Sequence, residues 1–312
     1  MTERRHFALA LHGGAGNIRR GTAREPAIRK EFQACLEEGR SRLSAGEESV
    51  DVVEAMVRRL EAHPLFNAGR GAVLTSTGGV ELDASIMDGR NRAAGGVACL
   101  ASVLHPISVA RRVMDRGEHV LLVGEGAAAF ARQQGFETVP AESLVTAQRR
   151  RQLDRARTQS RIRLDHDAST QDDDGRGTVG AVALDLDGHL AAATSTGGLI
   201  NQLPGRVGDS AVIGAGTWAD DATCAVSATG HGEAFIRAAV AHEVDAGMRL
   251  ASLDLESAAR RALERAEACG GRGGLIAVDG SGRIAMPWTT AGMIRGRVSA
   301  NQEPRISLFD NG

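Results

Sequence analysis

The stretch Gly177-Thr178-Val179-Gly180-Ala181-Val182-Ala183-Leu184-Asp185 joins two regions of opposite character. Upstream, residues 149–176 are polar and charged with little to fold on, and after residue 156 apolar residues almost vanish apart from Ile162 and Leu164. Downstream, the apolar alternation continues through Asp187-Gly188 into Ala191-Ala192-Ala193-Thr194-Ser195-Thr196-Gly197-Gly198. A single Thr therefore sits where a linker becomes a buried strand. Cut just before it, the chain would give Thr178 a free α-amine beside its own hydroxyl, a complete nucleophile and base. An α-amine, with a reference pKa of about 7.7–8.0, is a better base at neutral pH than a lysine at about 10.4. The β-branch holds the hydroxyl in few rotamers. Gly177, lacking a Cβ, tolerates the strained conformer in which Thr178 Oγ1 attacks the preceding carbonyl. Taken alone, a buried Thr in an ordinary strand is the commoner reading, so its company decides.

With 312 residues the chain has room for a sizeable core in one large domain or two ordinary ones. Its 37 basic and 39 acidic residues leave a net charge of −2, which gives no basic field for nucleic acid or an anionic membrane. Glycine is abundant at 39 residues, implying tight turns and close backbone approaches. Cys35, Cys99, Cys224 and Cys269 are widely spaced and form no CxxC pair, which reads as buried thiols in a reducing compartment. The apolar run at residues 7–11 is too short for a secretory signal and no stretch is long enough to span a bilayer. The expectation is a soluble, cytoplasmic protein.

In chain order, residues 7–11 read as a strand entering a glycine turn, His12-Gly13-Gly14-Ala15-Gly16-Asn17. Residues 26–43 and 50–60 read as amphipathic helices, the second led by Glu47, Glu48 and Ser49 where cap and first-turn acids belong. His63-Pro64 stops it, and Leu65-Phe66-Asn67-Ala68-Gly69-Arg70-Gly71 forms a loop feeding a strand at residues 72–75. Further strands are expected at residues 79–89 and 95–103, and a helix after His105-Pro106. Residues 120–129 imitate a dinucleotide fingerprint around Gly124-Glu125-Gly126, but no second strand ending in an acidic residue follows. A plain strand-to-helix turn is the better reading. Residues 141–156 read as a basic helix, and Asp172-Asp173-Asp174 as part of a solvated tail rather than a cation site.

The second half contains an internal echo. Asp185, Gly188, Ala191, Thr196 and Gly198 recur as Asp279, Gly282, Ala285, Thr290 and Gly292 at one constant offset, each set reading as a hairpin around a Gly turn. Between them lie strands at residues 211–213 and 224–227 and a helix at 234–246; a last helix spans 255–268. Strands that follow one another through Gly turns pair antiparallel, so the expected architecture is α+β, two mainly antiparallel sheets packed between helical layers.

The company of Thr178 is specific. The chain resembles, nearly end to end, the plant-type asparaginase / isoaspartyl aminopeptidase family of N-terminal nucleophile (Ntn) hydrolases. The resemblance rests on His12-Gly13-Gly14-Ala15-Gly16, Leu65-Phe66-Asn67-Ala68-Gly69, Glu81-Leu82-Asp83-Ala84, Gly177-Thr178-Val179-Gly180-Ala181-Val182, Ala193-Thr194-Ser195-Thr196-Gly197-Gly198, Pro204-Gly205-Arg206-Val207-Gly208-Asp209-Ser210 and Thr229-Gly230-His231-Gly232-Glu233.

The resemblance implies a four-layer αββα sandwich and one Ntn-hydrolase domain over residues 1–312. It implies self-cleavage into an α subunit, 1–177, with a flexible charged tail from about 157, and a β subunit, 178–312. Thr178 is then the nucleophile with its α-amine as base, Thr196 orients its hydroxyl, and Thr229 with the Gly230 N–H forms the oxyanion hole. Arg206 grips the substrate α-carboxylate, Asp209 binds the α-ammonium with the backbone near Gly232, and Asn67 braces the site. One cation and one anion within four residues suit an L-aspartyl head, which carries both charges on one carbon. His231 and His12 read as rim and structural residues.

No catalytic cofactor is implied. A structural Na⁺ held by the carbonyls of Leu60, Glu61, His63, Phe66, Ala68 and Arg70 is, and carbonyl oxygens suit a hard cation. So is a dimer of αβ heterodimers. Many relatives carry His before the Gly-Thr pair, where this chain has Arg176. The implied reaction is hydrolysis of β-aspartyl amides, isoaspartyl dipeptides first and L-asparagine as well. Two alternatives are a glycosylasparaginase acting on sugar–asparagine amides, and an uncut nucleotide-binding protein resting on Gly124-Glu125-Gly126.

Overall fold

A computed structural model describes residues 6–18, 20–158 and 177–309. The strands are β1 (Ala8–Gly16), β2 (Leu82–Asp88), β3 (Ala93–Leu100), β4 (Leu121–Val123), β5 (Val179–Leu184), β6 (Leu190–Thr196), β7 (Thr217–Ala219), β8 (Cys224–Gly230), β9 (Gly273–Asp279), β10 (Ile284–Ala285), β11 (Gly292–Ser299) and β12 (Gln302–Ser307). The helices are α1 (Glu25–Ser44), α2 (Ser49–Ala62), α3 (Pro106–Arg116), α4 (Gly124–Gln133), α5 (Ala141–Leu144), α6 (Ala147–Thr158), α7 (Gly232–Ala238), α8 (Val240–Ala251) and α9 (Leu255–Ala268).

Eight strands form one sheet in the order β12-β11-β1-β5-β6-β2-β3-β4, and four form a second, β10-β9-β8-β7. Every pairing of these strands is antiparallel except β3 with β4. The period of two along each strand sorts its side chains between two interiors. Leu9, Leu11, Ala181 and Ala183 pack with Phe32, Leu36, Val53 and Met56 of α1 and α2. Ala8, Ala10, Val182 and Leu184 face the other way and meet Ala225, Ile276 and Val278 of the small sheet. The small sheet's far face carries α7, α8 and α9 on Val226, Ala228 and Leu275. The result is the expected four-layer αββα sandwich. Both faces of β1, β5 and β6 are covered, so these strands are buried throughout. Alanine and glycine dominate the layer between the sheets, and small side chains let the two backbones approach.

The internal echo is one turn built twice. Asp185 Oδ1 accepts from the N–H groups of Asp187 and His189 at 3.0 and 2.9 Å, and Asp279 Oδ1 from those of Ser281 and Arg283 at 2.9 and 3.1 Å. Gly188 and Gly282 hold the left-handed positions at φ 88° and 79°. The two hairpins belong to different sheets. Asp185 also reaches beyond its own turn, because its Oδ2 accepts from the Ser49 N–H at 2.9 Å. The start of α2 is thus capped by a carboxylate from another element, where local capping by residues 47–49 is expected.

Several expectations differ. β1 does not stop at a glycine turn; it runs through His12, Gly13 and Gly14, whose register slips between His12 and Gly14 while pairing with β11 continues. Residues 72–75 form no strand, since their N–H groups bond to loop partners such as Asn67 Oδ1 and the Gly79 carbonyl. No strand forms at residues 211–213: Asp209–Ala211 make a short 3₁₀ turn, and Ile213 keeps only an isolated bridge to Thr217. The helix expected at 234–246 is broken at Ala239, at φ 47°, into α7 and α8. The charged tail lies outside the described residues from 159 to 176; at its two ends Arg157 belongs to α6 and Gly177 is buried. Arg149, expected in solvent, is 1% exposed because its Nε donates to the Gly71 carbonyl at 2.6 Å and Nη1 to Gln152 at 2.9 Å.

Candidate active site

By the strand alternation that sends Gly180 and Val182 into the inter-sheet layer, Thr178 projects on that side as well, at its open end. It lies in a cleft whose walls include Asn67, Gly177, Thr196, Arg206, Asp209, Thr229 and Gly230. Residues from the loop after α2, from β6, from the loop before β7 and from β8 therefore converge on one partly exposed hydroxyl.

Thr178 Oγ1 donates to Thr196 Oγ1 at 3.1 Å, and Thr196 Oγ1 also accepts from the Gly198 N–H at 3.1 Å. Asn67, 1% exposed, locks this corner: its Nδ2 donates to the Gly198 carbonyl at 2.8 Å, its Oδ1 accepts from Val73 N–H at 2.8 Å, and its carbonyl accepts from Gly197 N–H at 3.0 Å.

The Arg206–Asp209 loop is tied down from β2. Glu81 Oε2 accepts from the Gly205 N–H at 2.9 Å, and Asp83 accepts from the N–H groups of Gly208 and Cys99 at 3.2 and 2.9 Å. That explains why an acidic motif at 81–83 accompanies the loop. Asp209 is 5% exposed and its Oδ2 has no hydrogen-bond partner among the described residues. Burial pushes its carboxyl up to about 7, against the opposing pull of Arg206. Burial likewise raises Asp83 to about 6. Arg206 Nε donates to Glu233 at 2.9 Å on the rim, and the fork end of the guanidinium lies beside Asp209. A Cβ built on Gly232 would stand 2.8 Å from Arg206 Nη2 and 2.9 Å from Asp209 Oδ1. A side chain at 232 would therefore collide with both the cation and the anion, and glycine avoids this.

Two charged or polar residues are not legible from sequence spacing. Glu61 is completely buried and accepts from Ser195 Oγ at 2.6 Å and Ile107 N–H at 3.1 Å, with His105 Nδ1 at 3.3 Å; burial raises its pKa. It anchors β6 one residue before Thr196. His12 is also fully buried, and its imidazole Nδ1 lies 3.0 Å from the Thr178 carbonyl. His231 Nδ1 lies 2.9 Å from the Arg272 carbonyl.

For the implied sodium, the relevant groups are backbone carbonyls of the loop after α2. Phe66 and Pro64 carbonyl oxygens both lie 2.9 Å from the point where a Cβ on Gly71 would be, and those of Glu61 and Leu104 both lie 2.6 Å from the corresponding point on Gly69. Backbone thus packs closely on both glycines, and of the expected set the Glu61 and Phe66 carbonyls face them; carbonyl oxygens are the donor type that a hard cation takes. The Leu60, Glu61 and His63 carbonyls also accept loop N–H bonds from His63, Arg70 and Phe66, which leaves each a second lone pair. Among the described residues no cluster of His, Cys, Asp or Glu side chains is placed to hold a metal, and no helix is long and apolar enough to cross a membrane. Gly124-Glu125-Gly126 opens α4 behind the three-residue edge strand β4, as a plain strand-to-helix turn would.

Comparison with known proteins agrees with this geometry. The family model described as Asparaginase matches residues 5–308. A protein named isoaspartyl peptidase from Escherichia coli strain K12 is 47% identical over 306 residues, covering 96% of this chain and 95% of the relative. Proteins named isoaspartyl peptidase/L-asparaginase are 41% identical in Bos taurus, covering 91% of each chain, and 42% identical in Mus musculus, covering 92% and 86%. A match across almost the whole chain, on a two-sheet sandwich with Thr178 at the mouth of its inner layer, means that the chain belongs to the asparaginase family of Ntn hydrolases.

Proposed function

We propose that this protein is an autoprocessed amidohydrolase that cleaves β-aspartyl amide bonds, in isoaspartyl dipeptides and in L-asparagine, releasing L-aspartate. The observation that carries the reading is the pairing of Thr178 Oγ1 with Thr196 in a cleft that also holds Arg206 and Asp209. Relatives named isoaspartyl peptidase and isoaspartyl peptidase/L-asparaginase support the same substrate class.

Cleavage before Thr178 yields an α subunit, 1–177, and a β subunit, 178–312, and frees the Thr178 amine. The substrate's α-carboxylate meets the Arg206 fork and its α-ammonium meets Asp209, which fixes the β-carbonyl over Thr178. The amine takes the hydroxyl proton as Oγ1 bonds to the carbonyl carbon. Thr229 and the Gly230 N–H bear the developing oxyanion, an interaction worth roughly 3–4 kcal/mol per donor in comparable sites. The proton passes to the leaving amine, the C–N bond breaks, and a β-aspartyl ester remains on Thr178. Water, deprotonated by the same amine, releases L-aspartate and restores the hydroxyl.

The chemistry needs no catalytic cofactor. A structural Na⁺ on the carbonyls of residues 60–70 would stiffen the loop that carries Asn67. The four cysteines are all free thiols, which suits a reducing, cytoplasmic compartment. A dimer of αβ heterodimers is the assembly that the family resemblance implies. The test compares kcat/KM on β-Asp-Leu, L-asparagine and a glycosylated asparagine. β-Asp-Leu should be the best substrate; a strong preference for the glycosylated amide would turn the assignment to glycosylasparaginase.

A further inference from the structure

The layer between the two sheets is largely apolar, but a polar row crosses it beside Thr178, bordered by Arg295, the register partner of His12, which stacks on Trp288. In the large sheet His12 pairs in register with Gly180, Gly180 with Thr194, and Thr194 with Ser85. In the small sheet Thr217 pairs with Ser227. His12, Ser85, Thr194, Thr217 and Ser227 are each 0% exposed. Their side chains meet across the gap: Ser85 Oγ to Thr217 Oγ1 at 2.8 Å, Thr217 Oγ1 to Thr194 Oγ1 at 2.6 Å, Thr194 Oγ1 to Ser227 Oγ at 2.6 Å, and Ser227 Oγ to His12 Nε2 at 3.0 Å. One end of the chain is the Thr178 carbonyl, 3.0 Å from His12 Nδ1. At the other end Ser85 Oγ donates to the Ser210 carbonyl at 2.7 Å, in the 3₁₀ turn that carries Asp209.

Counting protons fixes the direction. A carbonyl can only accept, so both ends of the chain require a donor. Burial pushes the His12 imidazole down to about 3, so it is neutral and has one N–H. Each hydroxyl also has one, and the contacts outnumber the protons, because Thr194 Oγ1 also lies 3.1 Å from the Gly216 carbonyl and Ser227 Oγ 3.2 Å from that of Ala193. These are the longer contacts of the two hydroxyls with an acceptor oxygen or nitrogen, and the Gly216 carbonyl already accepts from the Ala228 N–H at 2.9 Å, so the shortfall falls where it costs least. Ser85 can share its proton between Thr217 and Ser210, a three-centre bond of a common kind. The alternative leaves the Thr178 carbonyl facing a bare ring nitrogen, two lone pairs opposed in a buried site. Protons therefore run from Ser85 to Thr217, Thr194, Ser227 and His12 in turn.

We propose that His12 is a positioning residue for the nucleophile, held in its Nδ1–H tautomer by this one-way chain of buried hydroxyls so that the Thr178 carbonyl always meets a donor. Fixing that carbonyl fixes the Thr178 ψ torsion, and with it the directions in which the α-amine and the Cβ that carries the hydroxyl leave the Cα and enter the cleft. The neighbouring Gly13 carbonyl accepts from the Gly177 N–H at 3.4 Å, so two successive residues of β1 hold the two sides of the bond to be cut. Gly180 is required by the same device, because a Cβ there would collide with both Ser227 Oγ and His12 Nε2. The inference rests on Thr178 being the nucleophile, as proposed above.

The test uses full-length chain, with the processed fraction measured by intact mass and kcat expressed per processed enzyme on β-Asp-Leu. An asparagine amide mimics the Nδ1 side of histidine and a glutamine amide the Nε2 side. His12→Asn should keep kcat within about threefold, while His12→Gln should lower it about tenfold to a hundredfold with little change in KM, the scale of a misplaced reacting group. If His12 only fills space, the order reverses, because glutamine is nearer to histidine in volume; that result overturns the proposal. Should either variant remain uncut, wild-type enzyme decides: the ¹⁵N spectrum of its buried imidazole must show Nδ1 protonated and Nε2 bare, and an Nε2–H or doubly protonated ring contradicts the chain. Wild-type hydrolysis of β-Asp-Leu separately checks the parent assignment, so the two failures are distinguishable.

Discussion

Arg206 and Asp209 both border Gly232, where a Cβ would crowd Arg206 Nη2 at 2.8 Å and Asp209 Oδ1 at 2.9 Å. A cation and an anion this close normally neutralise one another directly. Here Arg206 spends its Nε on Glu233 instead, and Asp209 keeps one buried oxygen without a hydrogen-bond partner among the described residues. The pair is therefore arranged for a zwitterion between them. Gly232→Ala should raise KM for both β-Asp-Leu and L-asparagine by about tenfold or more, a loss of at least about 1.4 kcal/mol of binding, with a far smaller change in kcat. Steady-state kinetics on both substrates checks this; a lower kcat at unchanged KM would place the substrate head elsewhere.

The rim contact and the buried contact should differ in weight. Glu233 is 59% exposed at its side chain against 15% for Arg206, and solvent screens such a pair to a fraction of a kcal/mol. Glu233→Gln should change KM by less than about fivefold. Arg206→Ala, which removes the cation that meets the α-carboxylate, should raise KM by at least ten times as much again, and equal effects from the two variants would refute the division of roles.

Asp209 makes substrate binding pH-dependent. Its carboxyl, ordinarily near 3.8, is raised by burial to about 7 in the folded protein. Ammonium binding requires the ionised form, so KM should fall as pH rises through about 7. Folding stability moves the other way. The folded state holds this proton more tightly, so the stability it contributes is complete below 3.8 and lost as pH climbs through about 7. Asp209→Asn should abolish the pH dependence of KM while raising it overall, and its melting temperature should gain on wild type between pH 4 and 8. A melting difference that is flat with pH would remove Asp209 from this role.

Thr196 supplies the acceptor for the Thr178 hydroxyl. Thr196→Val keeps the shape and β-branch while removing that acceptor, so kcat should fall by roughly 10²-fold with KM nearly unchanged. Pre-steady-state measurement of acyl-enzyme formation locates the loss in the first chemical step; a change in KM alone would contradict it.

What can be read in the sequence, and what cannot, divides along the range of the interactions. α1, α2 and α9 follow from local apolar periodicity and lie within a residue or two of the expected bounds. The Asp-Gly turns at 185–188 and 279–282 are local as well. Thr178, Thr196, Arg206, Asp209 and Asn67 stand in recognisable motifs and do line one cleft. The polar row through His12, Ser85, Thr194, Thr217 and Ser227 is invisible in the sequence because its members are single side chains far apart in the chain, joined only by strand register. Arg149 and Glu61 escape for a related reason: charged residues are assigned to solvent unless buried partners are known, and theirs are the Gly71 carbonyl and Ser195. β1 runs past its glycines because a register slip lets the pairing with β11 continue, which no turn rule anticipates.

The central claim is that the Gly177–Thr178 bond is cut so that Thr178 can act through its own amine. Intact mass of the purified chain after incubation tests it most directly. Wild type should resolve into two fragments meeting at Gly177 and Thr178, with hydrolysis of β-Asp-Leu rising in step with cleavage, and Thr178→Ala should remain whole and inactive. A wild-type chain that stays intact while hydrolysing β-aspartyl amides, or a Thr178→Ala variant that does so, would contradict the account.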